Sequence, residues 1–267
     1  MTQLPLEGAA RVLKLTVAYD GTEFRGFQRQ ARLRTVQGVL EERFSRLLGE
    51  PIQVIGAGRT DAGVHAEGQV VNFHTTRPVP AANLVEILNR ALPADVKVQR
   101  GEEAPEEFHA RRSACSRMYR YTLVERETPT PLLGRFALLL PERLEVGRMA
   151  EAAGALVGRH DFRSFQAAGS ETKTTERTLL RLECERARDR VTITAEADSF
   201  LYQMVRLVVS SLLQVSRGRM AAEELWAVLA AGDRLRLPTP APACGLCLMQ
   251  VSYDFPGPGG RRERRTG

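Results

Sequence analysis

Lysine is nearly absent from this chain of 267 residues. Lys14, Lys97 and Lys173 are the only three, so almost all of the 38 basic residues are arginine. Arginine forks onto phosphates and stacks on bases, which suits RNA; a genome rich in arginine codons gives the same bias. The net charge of +6 points the same way, toward a polyanionic partner, without requiring one. Cysteine is scarce too. Four residues in a chain this long exclude the disulfide framework of a small secreted domain. Long apolar runs are missing: residues 204–215 form a short stretch interrupted by Arg206, well below bilayer length. The opening MTQLPLEGAARVLKL lacks the basic start and apolar run of a secretory signal. A cytoplasmic, globular protein with no membrane segment is expected. The four histidines, His65, His74, His109 and His160, show no zinc-helix or triad spacing.

What is present centres on GRTDAGVH, residues 58–65. Residues 53–55 read as a strand end, so the chain enters the motif extended. If that geometry persists, Arg59 and Asp61 project from one face into a shared space. Gly56, Gly58 and Gly63 have no Cβ and allow another molecule to approach the backbone. A carboxylate beside an arginine is a nucleophile or a partner for a developing cation. The alternative is an Asp that closes its own turn through an Asx hydrogen bond.

Residues 12–19 read as a strand. Thr35 caps a helix whose apolar positions Val36, Val39, Leu40, Phe44, Leu47 and Leu48 recur at helical spacing until Gly49 and Pro51. Strands at 52–57 and 69–74 flank the motif, a helix spans 83–92, and a short strand covers 96–100. The second half repeats this βαββαβ order. It has a strand at 119–125, a helix at 149–156 closed by Gly158, and a hairpin of 178–185 and 190–197. A helix at 203–215 and a strand at 246–253 complete it, with an extra helix at 221–231 carrying the only tryptophan, Trp226. Two such units predict an α+β fold of two ferredoxin-like halves with predominantly antiparallel sheets. The expected division is 1–110, 111–256 and a basic, disordered tail at 257–267. Residues 237–242, LPTPAP, read as a stiff connector.

Other residues admit two readings each. Tyr119 lies in Met118-Tyr119-Arg120-Tyr121, where alternate residues line one face, and is either a core residue or part of a site. Arg206 either extends to solvent or pairs with an acid. Arg25, Arg29, Arg32 and Arg34, interleaved with Phe24 and Phe27, make either an RNA-contacting loop or a solvated one. Cys244-Gly245-Leu246-Cys247 is a CxxC without the second ligand pair of a zinc site, leading into a strand rather than opening a helix. No metal is expected there. His160-Asp161 recurs in metal phosphohydrolases, but no partners for it are identifiable.

Taken together, AYDGTEFRGFQRQ (18–30), GAGRTDAGVHAEGQVVNF (56–73), FHARRSA (108–114), SRMYRY (116–121), DFRSF (161–165) and SFLYQMVR (199–206) resemble the bacterial tRNA pseudouridine synthase A family. They occur in the family's order, across residues 13–253. The resemblance implies a pseudouridine synthase fold and an isomerase acting on uridines 38–40 of the tRNA anticodon stem-loop. It implies a homodimer as well. Asp61 matches the family's nucleophile, and Arg59 the arginine that orients phosphate or helps push out the base. Tyr119 matches the tyrosine that stacks on the uracil, and Arg206 the arginine that pairs with the aspartate. Arg25 and Arg29 fall in a loop beside the first strand, placed as in the family, which implies that it contacts tRNA. On this reading residues 1–110 carry the Asp61 motif and 111–256 complete the site. The family usually has Glu and Tyr where this chain has Cys244 and Cys247, so no role is carried over to them. The reaction breaks N1–C1′, turns the base and rejoins it through C5. It needs no net oxidation and no added water, hence no cofactor. A non-catalytic RNA-binding protein of the same fold is the alternative, which has no chemical reason to retain Arg59, Asp61, Tyr119 and Arg206 together. A base-removing glycosylase using Asp61 is a further one.

Overall fold

The computed structural model describes residues 11–77, 81–128, 130–169 and 172–253; the tail expected at 257–267 lies outside them. In β1 (Arg11–Tyr19) buried positions largely alternate with partly exposed ones, as in a strand with one face on the core. The next helix, α1 (Val36–Leu48), starts where Thr35 is extended and its hydroxyl accepts from the Gly38 amide. It stops at Gly49, whose φ of 68° lets its amide turn back to Ser45 O. Then come β2 (Ile55–Gly56), β3 (His65–Thr75), α2 (Ala81–Ala91) and β4 (Val96–Ala104). The second run is β5 (Ser116–Glu125), α3 (Pro131–Gly134), β6 (Leu138–Leu140), α4 (Val146–Gly154) and β7 (Gly158–Asp161). It continues with β8 (Glu176–Ala187), β9 (Arg190–Ala197), α5 (Met204–Ser216), α6 (Ala222–Ala231) and β10 (Leu246–Ser252).

The ten strands of the described residues belong to one sheet, ordered β4-β1-β3-β10-β5-β9-β8-β7, with β2 also on β3 and β6 on β5. The quartets β4-β1-β3-β2 and β10-β5-β9-β8 each have the strand order of a ferredoxin-like unit, and within them every pairing is antiparallel. A short parallel pairing of β10 with β3, Cys247 opposite His65 and Leu248 opposite Ala66, joins the quartets edge to edge. The core is accordingly one continuous cluster of buried side chains from Val12 to Val251. Within it α5 is buried on nearly every side, with Arg206 and Gln214 its only partly open positions. No helix among the described residues is long and apolar enough to cross a membrane.

Four expectations change. The strand expected at 52–57 shrinks to β2, because Ile52 and Val54 donate their amides to side chains of α1 instead of to a ladder. Ile52 N bonds Ser45 Oγ at 2.8 Å, and Val54 N bonds Glu41 Oε1 at 3.1 Å. The helix expected at 149–156 ends at Gly154, and Gly158, at φ 119°, opens β7 rather than closing a helix. The short elements α3, β6 and β7 have no counterpart in the sequence reading. Finally, residues 237–242 pack down rather than spanning a gap. Leu237 and Ala241 are buried, and Tyr121 donates its hydroxyl hydrogen to Pro242 O at 2.7 Å.

Glu41 holds the first half's loops to α1. It is 5% exposed, and its carboxylate accepts from Gln37 Nε2, the Val54 amide and Arg29 Nη1. Glu41→Ala leaves the Val54 amide without an acceptor and should cost about 1–3 kcal/mol in urea unfolding. Glu41→Gln retains an acceptor and should lose clearly less; equal losses would show that the amide's bond is not what Glu41 contributes.

Candidate active site

The loop from β2 to β3 is fixed from below before it presents anything. Tyr19, at the end of β1, shares a hydrogen bond with buried Thr60 (2.8 Å) and lies 3.4 Å from Gln69 Nε2. The same Gln69 amide nitrogen donates to Gly58 O at 2.9 Å. From the side, Phe27 N donates to Thr60 O and Gly63 N to Phe24 O. This approach requires Gly26, whose φ is 92° and whose place would put a Cβ 2.9 Å from Thr60 O. The turn itself is closed by the backbone, Val64 N to Asp61 O at 3.2 Å. Closure therefore does not depend on the Asp61 side chain.

That side chain faces Arg206, in the first turn of α5 and 145 residues away in sequence. Arg206 Nη1 donates to Asp61 Oδ2 at 3.0 Å, and the two side chains are 15% and 18% exposed. Arg206 Nε donates to Ala241 O at 2.6 Å, so the guanidinium is held at two points. A lysine lacks this fork. Arg59 is exposed and borders the same cavity as Asp61, as its spacing suggested, but the guanidinium on the carboxylate is Arg206's.

This cavity, about 900 Å³, lies over the seam between the quartets. Tyr119 on β5 is part of its lining, 8% exposed, with its ring edge-on to Phe200 at 5.3 Å. Burial, with smaller contributions from Tyr19 and Asp61, raises the Tyr119 phenol above the ordinary tyrosine range, so it is neutral near pH 7. Two residues earlier on the same strand face, Arg117 donates to four carbonyls: Ala57, Arg111, Ala114 and Asp198. It thereby ties the start of the Asp61 loop to the end of β9. Arg111 and Arg177 also border the cavity. The sequence reading assigned none of these three to the site. The two-residue spacing from Tyr119 is a signal for Arg117, and the family-like segment FHARRSA is one for Arg111; Arg177 arrives only through the fold.

The arginine loop divides. Arg25 is exposed and borders the cavity. Arg29 is paired with Glu41 at 2.8 Å. Arg34 forks onto Asp95 at 2.8 and 3.0 Å and lies over the Phe24 ring. Phe24 and Phe27 are 2% and 3% exposed, so they support the loop and offer no stacking surface. Of the three motif glycines, only Gly58 has open space around it. Gly56 makes room for Phe27's own ring, and Gly63 has a φ of 79°. Cys244 and Cys247 are free thiols, and burial pushes Cys247 up to about 12, unsuited to thiolate chemistry at neutral pH. Among the described residues no three His, Cys, Asp or Glu side chains form a cluster that could hold a metal ion. Asp161 is held by Arg163 and Thr175, and His160 packs against Trp226.

Tyr119's burial has a pH signature. Its folded pKa lies above the unfolded value of 10.0, so the stability it contributes is complete below pH 10 and lost as pH rises further. Tyr19, Tyr121 and Tyr253 are raised by burial in the same way. Denaturant unfolding from pH 9 to 11 should show stability falling, and in Tyr119→Phe the fall over that whole range should be smaller by about 1.4 kcal/mol, most of it above pH 10. Identical slopes would mean that the phenol ionises as freely in the folded state as in the unfolded one.

A carboxylate bonded by a fixed guanidinium and a neutral phenol in one cationic cavity suit covalent or base chemistry on a ring bound there. A family model described as tRNA pseudouridine synthase matches residues 15–111 and 152–254. The chain is 41% identical over 242 residues to tRNA pseudouridine synthase A of Syntrophotalea carbinolica, covering 91% of this chain and 96% of that one. It is 39% identical over 243 residues to tRNA pseudouridine synthase A 2 of Clostridium perfringens, covering 91% and 100%. To tRNA pseudouridine synthase A of Bacillus pumilus it is 39% identical over 244 residues, covering 91% and 99%. With matches of this extent, the chain belongs to the tRNA pseudouridine synthase family, a family of isomerases.

Proposed function

We propose that this protein isomerises uridine to pseudouridine at positions 38–40 of the tRNA anticodon stem-loop. The observation that carries the chemistry is the Asp61–Arg206 pair in a cavity that Tyr119 also lines. Asp61 supplies the carboxylate for the covalent or base step, and Arg206 fixes its position. Tyr119 holds the freed uracil while the base turns. The N1–C1′ bond breaks, a C5–C1′ bond forms, and a proton moves from C5 to solvent while N1 gains one. Atoms and electrons balance within the nucleotide, so the reaction calls for neither a cofactor nor a metal.

The target base must leave its stack to reach Asp61, and the unstacking is offset by backbone and pocket contacts. Arg59 and Arg25 are exposed at the cavity and suit phosphate. Arg29 retains a side chain 68% exposed despite its pair with Glu41, and joins them in this reading. Residues 1–110 act as the half that carries Asp61, and 111–256 as the half that brings Tyr119 and Arg206. A homodimer in the cytoplasm, in which both subunits hold one tRNA, completes the reading.

The test is incubation of purified protein with an unmodified tRNA transcript in EDTA, followed by pseudouridine mapping and mass measurement. Pseudouridine should form at one or more of positions 38–40 with the RNA mass unchanged. A fall in mass through loss of uracil would replace the isomerase with a glycosylase. Tight binding without product would leave a non-catalytic RNA binder. Product only elsewhere in the tRNA would refute the position assignment, and product only after zinc is restored would refute the metal-free chemistry.

A further inference from the structure

Tyr202 is an exposed ring on a backbone that the fold holds firmly at the cavity. It is 44% exposed, and of the exposed large apolar side chains among the described residues it alone lines this cavity. Its neighbours fix it: Leu201 and Met204 are buried, Met204 N donates to Leu201 O at 3.1 Å, and Ala167 N donates to Tyr202 O at 3.1 Å. The following residue, Gln203, is in the left-handed region at φ 59°, a conformation that costs a non-glycine residue on the order of 1 kcal/mol. The chain thus adopts a strained corner immediately after an exposed aromatic ring at a cationic cavity. Tyr119 and Phe200 already pack edge to face near Asp61, whereas Tyr202 retains an open surface. Arg177 borders the same cavity, and Arg59 is exposed at it. An open aromatic face among arginines is the combination that binds unpaired nucleotides, the base on the ring and the phosphate on the cations. A cavity of about 900 Å³ is large for a single uracil, given that drug-sized ligands fill about 300–1,000 Å³.

We infer that Tyr202 forms a second base subsite, stacking on an unpaired base adjacent to the target uridine in the same RNA strand. This deepens the proposed function and rests on it. Stacking holds the strand on one side while the target turns at Asp61, so Tyr202 acts through binding and not in the chemical step. It sets a preference for a base of large π-face at that position, with no hydrogen-bond readout.

The test is a cycle of protein and RNA variants. The RNAs are a transcript with a target uridine, and two versions in which the 5′ or the 3′ neighbour is an abasic ribose. Tyr202→Ala should lower kcat/KM on the intact RNA by roughly 5- to 150-fold, mainly through KM, and Tyr202→Phe should restore it. On one of the abasic RNAs the ratio of parent to Tyr202→Ala should collapse toward one. An undiminished ratio on both, or no effect on the intact RNA, would overturn the subsite. A parallel titration uses Asp61→Asn protein with 2-aminopurine at the neighbouring position, with and without Tyr202→Ala. Quenching should require the tyrosine ring. If the parent binds but makes no pseudouridine, the enzymatic reading fails while this titration still decides the stacking. Quenching independent of Tyr202, or no RNA binding at all, would refute the subsite.

Discussion

The salt bridge from Arg206 to Asp61 joins residues 145 apart in sequence, one on the loop between β2 and β3 of the first quartet and the other on α5, between β9 and β10 of the second. At 15% and 18% exposure neither group is free to relax fully into water, though neither is fully desolvated. The surrounding structure fixes both ends. Arg206 is anchored by Ala241 O and by a helix buried on nearly every side. Asp61 stands on a turn closed by its own backbone and supported by the Tyr19, Thr60 and Gln69 hydrogen bonds. Positioning of this kind lets a carboxylate act without reorganising at the moment of reaction.

The parallel pairing of β10 with β3 makes the bridge possible. Without that seam the quartets would be two sheets with separate cores, and the Asp61 loop would have no fixed relation to β5 or α5. Arg117 strengthens the same junction, since its four carbonyl partners come from both sides of it. Its side chain borders the cavity, but its donors are committed to the backbone. Arg59 and Arg25 are the exposed arginines, and they suit an outside anion better.

Elements with local capping and turn chemistry are legible in the chain itself. Thr35 and Gly49 bound α1 as their capping chemistry requires, and the hairpin of β8 and β9 turns at Arg188-Asp189 with Arg188 at φ 59°. Tertiary contacts decided the rest. The strand expected at 52–57 has the right composition, yet Ser45 and Glu41 take its amides, and no pattern in those residues reveals that. Phe24 and Phe27 look like stacking rings beside arginines until the core claims them. Arg59 stands next to Asp61 in sequence, while the arginine that bonds Asp61 is Arg206. That partner came from the family resemblance, because no spacing rule links residues so far apart. The three-residue strand β6 and the single turn α3 are too short to leave a periodic signature.

The central claim, that the Asp61 carboxylate does chemistry and does not merely shape a loop, is tested most directly by Asp61→Asn. The amide keeps the shape of the side chain and can still accept from Arg206, and the turn is closed by main-chain atoms that the substitution leaves in place. Folding and tRNA affinity at fixed salt should therefore stay near parental. Pseudouridine formation, measured by quantitative mapping on the same tRNA, should fall by several orders of magnitude, as when a group acting in the transition state is removed. Near-parental turnover in Asp61→Asn would contradict the account.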